Sequence, residues 1–411
     1  MKYTQSVAAE RQKRRMIDWS FFDRCRKILH VRGVRTLLRL LLRFLFGKRG
    51  SRRLRGLRLW FRMRTEVILH APLPVQQRLA RHVRIRIWVD GTEAFPRMVK
   101  LLRHAHHTVL VQMFIWKDDD AGRRIAAALL EAADRGVKVT VMKDASGDVF
   151  EYHKDFLTTA QSSDGIWHRF WRHRNISVGY GLHYDHAKVF IIDDQTMLVG
   201  GMNIADETAQ EWHDFLIELR GGRFVQHYLT GHDPLTSDTS VRLVLNTEEA
   251  KSVRPALRRL LLGAKREIIL EQSYLDDRET IDLLAERSHE GIRITLILPE
   301  APDVYADTNA RSVRRLMERS DLRYCQVLLY PAMSHAKLIL VDRARALVGS
   351  ANIMASSLDR MGEVNVLIEG RFSKAMRKLK RVTRSDVLQS RPLVTPPRLF
   401  WITRLLTWWP L

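Results

Sequence analysis

"HAKVFIIDDQTMLVGGMNI", residues 186–204, returns 149 residues later as "HAKLILVDRARALVGSANI", residues 335–353. The His, Ala, Lys, Asp, Leu, Val, Gly, Asn and Ile positions are identical and in register. Recurrence at a fixed offset marks a duplicated structural unit. The match extends both ways. Asp214 stands 11 residues after Asn203, and Glu363 stands 11 after Asn352. Each acid opens an alternating stretch, DFLIELRG and EVNVLIEG. Upstream, PRMVKLLRHAHHTVLVQ (96–112) pairs with PALRRLLLGAKREIILE (255–271), and RGVKVTVM pairs with EGIRITLI.

Each half therefore reads helix, strand, helix, strand, a variable segment, then a strand pair carrying the repeated motif. Gly136 and Gly291 punctuate helix to strand. VLVQMFIW and IILEQSYL are continuous apolar runs rich in β-branched and aromatic residues, the pattern of buried strands. Helices alternating with buried strands predict an α/β fold with helices covering the sheet.

The motif itself reads as a β-hairpin, with DDQT as turn chemistry between two apolar strands. An even loop would set His186 opposite Asn203 and Lys188 opposite Gly201. In the second copy it would set His335 opposite Asn352 and Lys337 opposite Ser350. His and Lys, two apart on a strand, share a face. Each copy thus offers an imidazole, an ammonium and an amide around one spot. That set suits a phosphodiester: Lys188, Lys337, Asn203, Asn352 and Ser350 would bind phosphate oxygens. One neutral histidine could attack phosphorus and a second could protonate the leaving oxygen. One copy has no second histidine, so the chemistry needs both His186 and His335. Asp214 and Glu363 are candidates for orienting the histidines through their other ring nitrogen. Asp193 and Asp342 stand at the strand end, where they could carry protons or serve as turn residues. A metal site from His183, Asp185 and His186 is not expected, since the second copy has Ala332 in place of His183 and no cysteine or carboxylate cluster accompanies them. No cofactor is expected.

The chain has 411 residues and a formal net charge of +23, placed very unevenly. Residues 1–64 hold 20 Lys and Arg against the acids Glu10, Asp18 and Asp23. VRGVRTLLRLLLRFLFGKRG (31–50) places Arg32, Arg35, Arg39 and Arg43 on one helical face and Leu37, Leu40, Leu41, Phe44 and Leu45 on the other. From Val34 to Phe46 such a helix, ~20 Å long, is too short to span a bilayer and suits lying in its interface. Packing on the protein's own core, or binding nucleic acid, are the alternatives. The end, LFWITRLLTWWPL, carries Trp401, Trp408 and Trp409 beside Arg398 and Arg404, like an interfacial aromatic anchor; a core-packing tail is the other reading. No uncharged apolar run of 18 residues occurs, the start lacks a signal-peptide core, and Cys25 and Cys325 make no disulfide framework.

At the paired His-Ala-Lys motifs, and in WKDDDAGRRIAAALLEAADRGVKVTVMKD (116–144), the sequence resembles the phospholipase D superfamily, most nearly its bacterial cardiolipin synthase branch. The resemblance spans about residues 85–390. It implies two pseudo-symmetric repeats, each a mostly buried mixed sheet flanked by helices in an α-β-α sandwich, and a metal-free phosphohistidine mechanism. His186 would be the nucleophile and His335 the general acid and base, with Lys188, Lys337, Asn203 and Asn352 on phosphate and Asp193 and Asp342 completing the motifs. The implied activity joins two phosphatidylglycerols into cardiolipin. A water acceptor would instead give a phospholipase D releasing phosphatidic acid. A nuclease is the third reading, against which the Leu/Arg helix and tryptophan tail argue. The implied setting is peripheral, on the cytoplasmic face of a bacterial inner membrane, with anionic phospholipid rather than nucleic acid as partner. The expected organisation is a membrane-interacting arm (1–65), repeats at 66–230 and 231–395, and an aromatic tail (396–411). Departures are Met354 and Met361, where the branch commonly has Asp and Asn, and Ser273–Leu275, where it commonly has Pro-Tyr-Phe.

Overall fold

The computed structural model describes residues 84–144, 146–147, 165–181, 184–233, 240–370 and 373–397. The basic arm and residues 398–411 of the aromatic tail lie outside the described residues, as does His183.

The first half runs β1 (Arg84–Val89), α1 (Asp90–Arg103), β2 (Thr108–Met113), α2 (Asp120–Asp134), β3 (Lys138–Asp144), α3 (Ile166–Arg172), β4 (Ile176–Gly181), β5 (Lys188–Ile192), β6 (Thr196–Gly200), α4 (Asp206–Gln210), β7 (Phe215–Arg220) and α5 (Gly222–Thr230). The second runs β8 (Val241–Asn246), α6 (Val253–Leu262), β9 (Glu267–Gln272), α7 (Arg278–His289), β10 (Arg293–Pro299), α8 (Ala306–Arg319), β11 (Cys325–Tyr330), β12 (Lys337–Val341), β13 (Arg345–Gly349), α9 (Ala355–Asp359), β14 (Glu363–Glu369), α10 (Lys374–Gln389) and β15 (Arg391–Pro392).

The duplication read from the motif is repeated strand for strand. The first sheet has the order β1-β7-β6-β5-β2-β3-β4, and the second has β8-β14-β13-β12-β9-β10-β11 with β15 added at its edge. In both, the two strands beyond the central β2 or β9 run parallel to it, and the motif hairpin joins its other side antiparallel. The opening strands β1 and β8 pair with the acid-bearing strands β7 and β14.

The motif strands are apolar at every position because both of their faces are covered. Val189 and Ile191 of β5, with Leu338 and Leu340 of β12, enter one core shared by the two halves. Phe190 and Ile192 face the first half's helices, and Ile339 and Val341 face the second half's. The shared core also takes Phe224 and Tyr228 of α5 and Met376 and Leu379 of α10. Each fully buried side chain of this kind contributes about 1.5–3 kcal/mol.

Local signals place the helices. Asp119 accepts from Gly122 N–H to cap α2, and Asp277 accepts from Thr280 N–H to cap α7. Gly136 and Gly291 follow those helices with φ of 98° and 79°, the left-handed conformation that ends a helix without strain in glycine.

The first glycine of each motif's closing segment has a packing reason. A Cβ on Gly200 would lie 2.3 Å from the Phe215 carbonyl oxygen, and one on Gly349 would lie 2.3 Å from that of Val364. Both carbonyls belong to the acid-bearing strands β7 and β14, so neither can step aside alone. Gly200→Ala or Gly349→Ala is therefore expected to destabilise by about 1–3 kcal/mol, read as a lowered Tm. Unchanged melting of both variants would mean the strands are not held this close.

Candidate active site

His186 and His335 sit two residues ahead of β5 and β12, where the halves meet. His186 donates its backbone N–H to the Gly362 carbonyl (2.9 Å), and His335 donates its own to the His213 carbonyl (2.8 Å). Gly362 and His213 immediately precede Glu363 and Asp214. Each histidine is thus bound to the strand entry of the opposite half.

The side chains follow the same crossing. His186 Nδ1 lies 3.1 Å from Glu363 Oε1, and His335 Nδ1 lies 2.8 Å from Asp214 Oδ2. The acids expected to orient the histidines lie at their Nδ1 atoms, each beside the histidine of the other half. A carboxylate at Nδ1 keeps the proton there and leaves Nε2 as the reactive atom of the neutral ring. His186, His335, Asp214 and Glu363 are all buried.

Lys188 and Lys337 are buried too. Lys188 Nζ donates to the His186 carbonyl (2.7 Å) and stands 5.1 Å from the centre of the Phe114 ring, which also meets the His186 ring edge-on. Lys337 Nζ donates to the His335 carbonyl (2.6 Å) and to Ser273 Oγ (3.0 Å). Phe114 and Ser273 occupy equivalent positions, so the halves differ there in the company they give the lysine.

Burial lowers both histidines, and the lysines lower them further. Lys337 acts on His186, and Lys188 and His186 act on His335, so the two triplets share one electrostatic field. Burial also depresses Lys188 strongly and takes Lys337 down to about 8. Asp214 is pushed up to about 6 by burial. Burial pushes Glu363 upward as well, but His186 and Lys188 outweigh it and hold it below the carboxylate range. The site keeps its imidazoles neutral and gathers two buried lysines beside them, groups that an entering phosphate could pair with.

Asn203 and Asn352 lie three residues beyond β6 and β13, buried, each with a side-chain oxygen that has no hydrogen-bond partner among the described residues. Matching bridges fix them: Ile204 pairs with Trp116, and Ile353 pairs with Leu275.

Three expectations are corrected. The hairpin register is displaced by one residue: Lys188 pairs with Gly200, and Leu338 pairs with Val348. Asp193 and Asp194 both take φ near +50°, Gln195 N–H closes their turn on the Ile192 carbonyl, and Thr196 then pairs with Ile192. Gln195 is an extra residue in the returning strand, a bulge, and it recurs at Ala344.

Second, Asp193 and Asp342 are not at the reaction centre. They end the strands that the lysines begin, ~16 Å away at the rise of a strand. The Asp193 carboxylate accepts from the backbone N–H groups of His106, His107 and Thr108. Asp342 accepts from those of Lys265, Arg266 and Glu267. Burial pushes each carboxyl up, and the three backbone donors outweigh it. They hold the hairpin tip to the loop entering β2 or β9.

Third, Ser350 does not offer its hydroxyl to phosphate. It is fully buried, donates to the Glu363 carboxylate and accepts from Val364 N–H (2.9 Å). Its counterpart Gly201 leaves room for the other acid: a Cβ there would lie 2.6 Å from the Asp214 carboxylate.

Sequence reasoning missed the aromatic surround. Trp212 lies 5.1 Å from the His335 ring, and Tyr274 lies 6.2 Å from it edge-on. Tyr274 donates its hydroxyl to Asp303 Oδ1 (2.5 Å); burial, then Asp303, raises its pKa and keeps it a proton donor. Aligning the halves pairs Tyr274 with Ile115, a contrast present in the sequence.

Comparison with known proteins gives a consistent picture. The family model described as "Cardiolipin synthase, PLD-like domain" matches twice, at residues 98–231 and 257–386. The chain is 26% identical to cardiolipin synthase B of Escherichia coli K12 over 355 residues, covering 77% of this chain and 84% of that protein. It is 27% identical to the major cardiolipin synthase ClsA of Bacillus subtilis over 344 residues, 75% of this chain and 69% of that one. In fold it is similar to the crystal structure of phosphatidylserine synthase from Haemophilus influenzae Rd KW20, with a TM-score of 0.62 at 15% identity, covering 78% of this chain and 91% of that chain.

The two kinds of acid separate by experiment. Asp214→Asn is expected to cut phosphodiester turnover by about 10³–10⁴-fold by releasing the His335 tautomer, with little change in Tm. Asp193→Asn is expected to do the reverse, costing about 1–3 kcal/mol of stability while turnover of the folded enzyme stays within a few-fold. Equal turnover losses in both would contradict this division.

Proposed function

This chain belongs to the cardiolipin synthase, PLD-like domain family, and on that footing we propose that it is a phosphatidyltransferase making cardiolipin from phosphatidylglycerol. The observation that carries the reading is the pair of buried histidines, one per half, each held at Nδ1 by the other half's acid. Cardiolipin synthases among its relatives supply the substrate class.

His186 Nε2 attacks the phosphorus of a first phosphatidylglycerol, and the bond from phosphorus to the headgroup oxygen breaks. His335, carrying a proton on Nε2, gives it to that oxygen, and glycerol leaves. The result is a phosphatidyl group on His186 and a neutral His335. A hydroxyl of a second phosphatidylglycerol then loses its proton to His335 and attacks the same phosphorus. Cardiolipin forms, and His186 is released as it began. Glu363 and Asp214 stabilise the imidazolium form of their partners through Nδ1, as acids do in catalytic triads. Lys188 and Lys337 exchange backbone carbonyls for phosphate oxygens when the anion enters, and Asn203 and Asn352 offer hydrogen bonds to it. Water as acceptor would yield phosphatidic acid instead.

The same reading assigns residues 66–230 and 231–395 to the two repeats, and residues 1–65 and 396–411 to contact with an anionic membrane. No helix among the described residues is long and apolar enough to cross a membrane. A peripheral position on the cytoplasmic face of a bacterial inner membrane fits the basic arm, since each Lys or Arg near such a surface adds about 1 kcal/mol.

Purified protein incubated with phosphatidylglycerol vesicles is expected to release glycerol and accumulate cardiolipin, detected by mass spectrometry. His186→Ala and His335→Ala should each reduce turnover to background. Phosphatidic acid as sole product would make the enzyme a hydrolase, and near-normal activity of either variant would sink the two-histidine mechanism. Removal of residues 1–64 is expected to weaken sedimentation with anionic vesicles at least tenfold, in a salt-dependent way; binding equal to that of the full chain would refute the anchor.

A further inference from the structure

A second buried cluster lies beside the histidine pair. His213 immediately precedes Asp214 and is 5% exposed; Glu271 on β9 is 1% exposed and Asp386 on α10 is 3% exposed. His213 Nδ1 lies 2.7 Å from Asp90 Oδ1, which fixes the proton on that nitrogen. The other nitrogen, Nε2, faces Glu271 Oε2 at 3.5 Å and Asp386 Oδ2 at 3.6 Å. These separations are too long for charge-assisted hydrogen bonds. Among the described residues, His213 Nε2, both Glu271 oxygens and Asp386 Oδ2 are buried without a hydrogen-bond partner.

Four such atoms converging in a dry interior are costly unless something positive lies between them. The spacing identifies what fits. Bonds of about 2.1 Å at tetrahedral angles put donor atoms ~3.4 Å apart, close to the two distances observed from Nε2.

The duplicated fold shows that the scaffold does not require these charges. Gly362 stands at the position equivalent to His213, and Gln112 stands at that of Glu271. Gln112 accepts the Tyr228 hydroxyl, a neutral contact. The charged cluster is therefore an addition at one of the two equivalent junctions between the halves.

We propose that His213, Glu271 and Asp386 form a binding site for one divalent transition-metal ion of the zinc type, with Asp90 orienting the histidine from behind. An imidazole with two carboxylates suits this class. The ion is structural: it ties the His213–Asp214 segment to β9 and to α10, and so steadies the acid that orients His335. It takes no part in the phosphohistidine chemistry, and the proposal does not depend on the lipid reading. Asp90, whose side chain is 43% exposed, marks the way in.

The test uses the full chain. Protein stripped with chelator is loaded with a small excess of zinc sulfate, desalted, and assayed for metal by mass spectrometry and for Tm. About one zinc per chain should be retained, with a Tm several degrees above that of the stripped protein. Glu271→Gln and Asp386→Asn should each lose the retained zinc, and Asp90→Asn should weaken zinc affinity about 10–100-fold. Cobalt loading of the unmodified protein gives a readout independent of variant folding: one equivalent should produce the visible absorption of a four-coordinate site, displaced by zinc. No retained zinc and no cobalt band would overturn the proposal and leave an imidazolium holding the carboxylates. Equal retention by the unmodified protein and folded Glu271→Gln would overturn it as well, placing the ion on other histidines.

Discussion

The structure turns on the exchange of acids between its halves. His186 is held by Glu363 and His335 by Asp214, and the backbone beside each acid receives the histidine's own N–H. Neither half can orient its own imidazole. A buried carboxylate or imidazole without its partner is heavily penalised, so the exchange enforces the approach of the halves as well as serving the site. The shared apolar core between the sheets supplies the non-directional part of that approach. The crossed pairs set its register.

Duplication supplied two copies of a frame, and small departures from symmetry give the copies different work. Gly201 makes space for the Asp214 carboxylate, while Ser350 gives Glu363 a hydroxyl donor. Phe114 covers His186 and Lys188, while Ser273 accepts from Lys337 and Tyr274 approaches His335. The first half thus presents its histidine against an apolar ring, and the second presents its own among polar groups.

Much of this was legible in the sequence, because repetition multiplies every weak signal. The offset motif gave the α/β class, the paired halves and the identity of the histidines, lysines and acids. Three things were not legible, each for a physical reason. An acid a fixed distance from a motif gives no information about which of two equivalent histidines it meets, so the crossing emerges only in three dimensions. A turn of DDQT does not reveal a bulge, and one extra residue displaced the inferred pairing. Asp193 and Asp342 recur as faithfully as the motif histidines and lysines, because recurrence reports any role the frame needs, including tying down a hairpin tip. The opening strands, RIRIWV and VRLVLN, were also overlooked, although the alternation in the first is plain.

The lysines show why so much of the frame is devoted to a few atoms. An ammonium buried beside a histidine is unfavourable by itself, which is why burial depresses both Lys188 and Lys337. Each is held meanwhile by a carbonyl two residues behind it, a neutral acceptor weaker than a phosphate oxygen. An entering phosphodiester offers a full negative charge where the groups that accept directly from the lysines, two carbonyls and Ser273 Oγ, offer only dipoles. It raises the proton affinity of the same lysines and histidines that burial lowered. In the proposed mechanism this charge would offset the burial that lowers the histidine carrying the proton. The depressed pKa values and the proposed affinity for phosphate thus share one constraint: basic groups gathered in a dry interior.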